Sequence, residues 1–167
     1  NPTSGTIPSG GSLDIMVKAD AGGLVGGNYL GNLIISSNDP ANGTVKLPKV
    51  SLTVTGQPVV STTPDTVKFD STLVGAMPME MLTVENLGSD TLMVTGITST
   101  NSVFTVDTSN FKVAPFGSMD VHVMFTPLVA GMFDGYLVVA SNDPNTALDS
   151  TMVMGVAEEA PVAVINP

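Results

Sequence analysis

The chain reads as an all-β protein built from antiparallel β-sandwich repeats in tandem, and three observations predict it. The phrase Ile34-Ile35-Ser36-Ser37-Asn38-Asp39-Pro40 returns 104 positions later as Val138-Val139-Ala140-Ser141-Asn142-Asp143-Pro144. Apolar and polar residues alternate with a period of two in short runs bounded by Gly, Pro, Asn and Asp, the pattern of half-buried strands between turns. About seven such runs fit into a hundred residues, the strand density of a sandwich.

Further pairs keep nearly the same spacing: Ser12-Leu13-Asp14-Ile15 with Ser118-Met119-Asp120-Val121, Tyr29-Leu30-Gly31 with Phe133-Asp134-Gly135, and Pro58 and Pro64 with Pro161 and Pro167. The offset is 106 at Ser12/Ser118, 104 at Asn38/Asn142, 99 at Gly56/Gly155 and 103 at the prolines, and slips of this size belong in loops. A period of about a hundred residues is a whole domain, not a solenoid unit. In this register residues 1–56 are the C-terminal half of one repeat, 57–160 a complete repeat, and 161–167 a linker and the start of a following repeat.

Composition narrows the function classes. Charged residues make up 12% of the chain, with 15 acidic against 5 basic side chains and a net charge of -10. Such a surface repels phosphate backbones and anionic lipid, so no nucleic-acid partner is expected. There is no cysteine, which excludes a disulfide framework and thiolate metal sites. No run of 18 apolar residues exists, so no direct membrane insertion is expected.

Taken in order, Leu13, Ile15, Val17 and Ala19 alternate with Asp14, Met16, Lys18 and Asp20 on one expected strand. Its counterpart places Met119, Val121, Val123 and Phe125 inward and Asp120, His122, Met124 and Thr126 outward. Further strands are expected near 66–70, 80–86, 91–97, 103–106, 135–141 and 148–155, with Leu82, Val84, Leu92, Val94, Phe104, Leu137 and Val139 in the core. Asn86-Leu87-Gly88-Ser89-Asp90 reads as a hairpin turn with positive φ at Gly88 or Asn86. Pro115-Phe116-Gly117-Ser118 reads as a type II turn with positive φ near Gly117. Asn38-Asp39-Pro40 and Asn142-Asp143-Pro144 end strands, because Asx side chains bond their own backbone and Pro cannot continue a ladder. Pro-containing linkers at Gly56-Gln57-Pro58 and 156–161 should hold neighbouring repeats end to end as a semi-rigid rod.

These landmarks follow one order: Phe69 to Val74-Gly75, Val84-Glu85-Asn86-Leu87-Gly88, Pro115 to Ser118, Val123-Met124-Phe125-Thr126-Pro127, then Phe133, Gly135, Ser141 to Pro144 and Gly155. The order resembles the bacterial choice-of-anchor D repeats, relatives of the ASH/MSP/Hydin-like immunoglobulin-fold domains. The resemblance covers residues 58–157 fully and 7–56 in part. It implies an immunoglobulin-like sandwich in a large secreted or surface-attached protein of Bacteroidetes type, exported by the type IX system, with an extracellular, cell-surface location.

No catalytic residue is singled out and no enzyme is expected. The single histidine, His122, falls on an outward strand position, and no nucleophile motif accompanies it. Oxygen-rich positions near repeat ends make Asn38, Asp39, Asn142 and Asp143 the calcium candidates, though no EF-hand spacing is present and the Asx-turn reading is preferred. No cofactor is implied. Met77, Met79 and Met81 are spaced by two, and Met79 and Met81 are the interface candidates because exposed Met is adaptable contact surface.

The reading that results is a non-enzymatic structural and adhesive repeat, a rod-like spacer and interaction module of a larger secreted or cell-surface protein. The alternatives are an accessory domain of a secreted hydrolase and an intracellular ASH-like scaffold module. The expected partners are neighbouring repeats of the same chain. Residues 7–56 should also expose a sheet edge and an apolar face of Ile15, Val17, Leu33, Ile35, Leu52 and Val54, open to a strand-donating or surface protein partner.

Overall fold

The computed structural model describes residues 4–46 and 49–162, with backbone alone at 45 and 46. The chain falls into two compact units, Asn1–Val54 and Thr55–Pro167. The described residues contain strands and no helix. In the first unit the strands are β1 (Gly27–Gly31), β2 (Ile34–Ser36), β3 (Thr44–Lys46) and β4 (Val50–Val54). In the second they are β5 (Val60–Thr63), β6 (Thr66–Lys68), β7 (Thr72–Leu73), β8 (Met79–Asn86), β9 (Leu92–Ser99), β10 (Phe104–Val106), β11 (Phe111–Val113), β12 (Ser118–Phe125), β13 (Gly131–Ser141) and β14 (Leu148–Glu158).

The second unit is a sandwich. One sheet runs β10-β12-β8-β5, and the other runs β11-β9-β13-β14-β6 with β7 also beside β14. All pairs are antiparallel except β14 with β6 and with β7. Strand alternation gives each sheet an inner apolar face. Leu82, Val84, Val121, Val123 and Phe125 of the first sheet close on Leu92, Val94, Leu137, Val139 and Val153 of the second, all at 1% exposure or less. The core candidates named from sequence are all buried. An aromatic cluster fills one end: Phe104 and Phe125 have ring centroids 5.0 Å apart, Phe69 and Phe125 5.4 Å, and Phe125 and Phe133 5.6 Å. Gly155 lies against this cluster, where a Cβ would stand 2.7 Å from the Phe125 ring. Room for the ring, rather than backbone freedom, requires glycine there.

The chain enters this sandwich beside Asn86, which pairs with Val60, and leaves beside Leu73, which pairs with Glu158. Between those ends lies β8, eight residues long and about 26 Å at the usual strand rise. Entry and exit are therefore at opposite ends.

Three expectations are corrected. Residues 12–19 form no strand, although their counterpart β12 does. In the sandwich β12 is paired on one side by β8 and on the other by β10, whereas no strand precedes Ser12 among the described residues. Alternation fixes which face a strand would bury, but a strand exists only by pairing. Met119 lies across from buried Val84 and keeps the expected inner-face parity, although it is 39% exposed. Residues 87–91 are not a hairpin turn: they carry the chain from β8 in one sheet to β9 in the other. The Gly56/Gly155 match also fails as register. The hairpin pairs Gly27 with Val54 where β13–β14 pairs Gly131 with Ala157, and Ile34 with Lys46 where it pairs Val138 with Ser150. The structural offset therefore stays at 103 to 104.

Strands β5, β7 and β11 were not expected; each is four residues or fewer, too short to show a period. Of the segment 161–167, residues 163–167 lie outside the described residues.

Candidate functional site

The two Ser-Asn-Asp-Pro turns are built alike. Ser37 N–H donates to Gly43 O at 2.7 Å, and Ser141 N–H to Ala147 O at 2.9 Å. Asp39 N–H reaches Ser37 Oγ at 3.3 Å, and Asp143 N–H reaches Ser141 Oγ at 3.2 Å. The Asp carboxylates then accept from the second following residue, Ala41 N–H at 2.7 Å and Asn145 N–H at 2.8 Å. This is the Asx-turn geometry that lets a short polar side chain replace a ladder bond.

The second turn does more than end a strand. Asp143 is buried, and its Oδ2 accepts Val60 N–H at 2.9 Å, which ties β5 of one sheet to the β13–β14 turn of the other. Thr146 N–H adds a further bond to Oδ1 at 3.1 Å. Burial pushes the Asp143 carboxyl up, and the N–H groups of Asn145, Val60 and Thr146 outweigh it, so its pKa lies below the ordinary 3.8. Asn142 secures the other flank: its Oδ1 accepts Met93 N–H at 2.7 Å and its Nδ2 donates to Thr91 O at 3.2 Å. At Asp39 the bonds from Ala41 and Asn42 lower the pKa on an exposed turn. Of the calcium candidates, Asp39 and Asp143 thus spend carboxylate oxygens on backbone N–H groups. Among the described residues no group of three His, Cys, Asp or Glu gathers as metal ligands.

Asn86 is a second latch at the same end. Fully buried, its Oδ1 accepts from Val59 N–H at 3.2 Å and Gly88 N–H at 3.0 Å. Its Nδ2 donates to Asp90 O, Val113 O and Ala114 O at 2.7, 3.2 and 3.1 Å. One amide thereby joins the incoming chain, the crossover loop and the loop before β12. The expected positive φ at Asn86 or Gly88 is absent; Gly88 is required because a Cβ would stand 2.2 Å from Gln57 O. In the next loop Phe116, not Gly117, takes positive φ, at 58°. Gly117 N–H closes that turn on Ala114 O at 3.0 Å, so the turn sits one residue earlier than expected, with Pro115 at its first corner. Sequence reasoning gave Asn86 a turn role and missed its latch, since three of its five bonds, to Val59, Val113 and Ala114, depend on segments that only the fold brings together.

Met79 and Met81 point outward from β8, at 60% and 52% exposure. Met79 lies across from Met124 and Met81 across from His122. His122 Nδ1 stands 2.8 Å from Asp107 Oδ2, and both side chains are substantially exposed. The bond to His122 holds the Asp107 carboxyl below its ordinary pKa. The pairing was not legible in the sequence, because Asp107 follows β10 in a loop. A polar cleft of about 450 Å³ opens between β5 and the start of β14, lined by Ser61, Thr62, Asp65, Thr146, Asp149 and Ser150 with Val60. Thr62 Oγ1 donates to Asp149 Oδ2 at 2.8 Å and accepts from Thr151 Oγ1 at 2.8 Å, so its best-placed groups bond one another across the sheets.

Two sheets closed on one core, with end loops held by side-chain latches, define an immunoglobulin-like sandwich domain. The chain belongs to the HYDIN/CFA65/VesB-like Ig-like domain family, whose model matches residues 58–153. Among solved structures, it is similar to the ASH/PapD-like domain 7 of human CEP192, with 16% identity, TM-score 0.54, and coverage of 61% of this chain and 87% of that one. It is also similar to a protein of unknown function from Porphyromonas gingivalis W83, with 18% identity, TM-score 0.53, and coverage of 80% of this chain and 67% of that one. At these identities the likeness is one of fold. No curated protein matches the chain in sequence. Among the described residues no helix is long and apolar enough to cross a membrane.

Proposed function

We propose that the chain is a non-enzymatic structural and adhesive segment of a large secreted or cell-surface protein, in which choice-of-anchor D-like sandwiches in tandem act as a rod-like spacer and interaction module. The observation that carries it is the path of the chain through the second unit, in at the Asn86 end and out at the Leu73 end. A domain threaded end to end adds its own length to an array. The shared geometry of the Asp39 and Asp143 turns, and the hairpin offset of 103 to 104, support repetition of one unit. Neighbouring repeats are the first partners of such a segment, and residues 7–56 offer a strand-donating or surface partner an apolar face.

Antibody against residues 58–153, applied to intact and to permeabilised source cells, tests the location. Signal on intact cells is expected, together with release by surface proteolysis of a parent much larger than 17.1 kDa. Signal confined to permeabilised cells would replace this reading with an intracellular scaffold.

A further inference from the structure

The outer face of the β10-β12-β8-β5 sheet gathers soft donor side chains in one place. Met79 and Met81 of β8 stand in register with Met124 and His122 of β12. Asn86 N–H to Gly117 O at 2.9 Å and Phe125 N–H to Pro78 O at 3.1 Å set the hydrogen-bonded pairs of this ladder at even-numbered positions from Pro78 to Asn86. Met79–Met124 and Met81–His122 are therefore non-hydrogen-bonded pairs, whose side chains stand closer together. The next pair of that kind does meet, with Thr83 Oγ1 donating to Asp120 Oδ1 at 2.8 Å. With Cβ atoms about 5 Å apart across the strands and about 6.7 Å apart along them, each of the four residues starts about 4 Å from the centre of the quartet. A Met side chain, with its three rotatable bonds, can close that gap.

His122 is held in the form that ligates a metal. Asp107 continues the β10 register across from it, with Asp107 N–H donating to His122 O at 3.1 Å. Its carboxylate accepts His122 N–H on Oδ1 at 3.0 Å and places Oδ2 2.8 Å from Nδ1. An ionised carboxylate can only accept, so the ring proton is on Nδ1 and Nε2 of the neutral imidazole keeps its lone pair. The two nitrogens lie on opposite sides of the ring, so turning Nδ1 toward β10 turns Nε2 toward β8 and Met81. A carboxylate behind an imidazole is the outer-shell arrangement that fixes the tautomer and orientation of a ligating His.

We propose that His122 Nε2, Met81 and Met124, with Met79 beside them, form a binding site for a Cu(I) ion. Thioethers with an imidazole are a soft donor set that selects Cu(I); Ca²⁺ takes oxygen ligands, and Zn²⁺ takes Cys, His and carboxylate. The net charge of -10 favours a cation over an anion. The site goes beyond the spacer role and does not depend on it.

Anaerobic titration of the full chain with Cu(I), in competition with the chelator bicinchoninate, reads the affinity directly. Wild type should retain a single Cu(I) per chain, and the His122 Nε2 resonance should shift on loading while Nδ1 keeps its proton. His122→Gln, Met81→Leu and Met124→Leu should each weaken binding about tenfold or more, and Asp107→Ala, which leaves every ligand in place, about tenfold. Met132→Leu, at a more exposed methionine of the other sheet, should change nothing. All the substituted side chains are at least partly exposed, so the melting temperature without metal should stay close to that of wild type. A wild type that yields all its Cu(I) to the chelator, affinity untouched by Met81→Leu or His122→Gln, or Zn²⁺ held as tightly as Cu(I) would overturn the proposal.

Discussion

Residues 12–19 and 118–125 carry the same alternation and end in different conditions. Val121 and Val123 are fully buried, while Ile15 and Val17, their counterparts, are 42% and 52% exposed. The apolar content is equal; the ladder partners and the facing sheet are not. In the second unit β8 and β10 flank β12, and β9, β13 and β14 cover it. The turns repeat the lesson on a smaller scale, for Asp39 and Asp143 make the same local bonds but only Asp143 also holds a strand of another sheet. Local chemistry builds the turn, and tertiary context makes it a latch.

The comparison breaks most sharply at Asn86. Asn86→Asp keeps the shape but puts a carboxylate where Nδ2 now faces three carbonyls, and should cost about 4 kcal/mol, read by urea denaturation. Hydrogen exchange should show the loss in residues 55–162 and leave 4–54 unchanged. Next, Val121→Ala should cost about 2 kcal/mol through a core cavity, whereas Ile15→Ala should leave stability within about 0.5 kcal/mol. An equal cost at both would show that residues 12–19 are packed in solution.

Asp143→Asn removes the acceptor for Val60 N–H and should cost about 1 kcal/mol; Asp39→Asn should leave stability unchanged. The folded pKa of Asp143 is depressed, so its contribution is present above the unfolded value near 3.8 and is lost as pH falls through the lower folded value. Acid titration of stability should therefore flatten below about pH 4 in Asp143→Asn. The smallest change is expected at the exposed His122–Asp107 pair, where His122→Ala should shift stability by about 0.5 kcal/mol or less. EDTA should leave the melting temperature where it is, because the turn carboxylates are engaged by backbone N–H groups; a drop would return Asp39 and Asp143 to the calcium reading.

Much of the sandwich was legible because a strand buried on one face must alternate. Leu82 and Val84, or Leu137 and Val139, announce their face without any partner in view. The Ser-Asn-Asp-Pro turns were legible for a similar reason, since an Asx side chain bonds backbone two residues on. Met79 and Met81 were placed outward by the same parity. Asn86 and Gly88 were misread because their conformations answer to atoms distant in sequence: Val113 and Ala114 for Asn86, Gln57 for Gly88.

The sequence by itself determined the all-β class, the parity of each long strand and the chemistry of the Asp39 and Asp143 turns, because these follow from backbone geometry over a few residues. Only the tertiary structure decided which alternating segments became strands, that residues 87–91 cross between sheets, and that Asp143 and Asn86 hold the end of the sandwich together. Those outcomes depend on pairing and on buried hydrogen bonds between segments as far apart as Val60 and Asp143, and no local rule contains them.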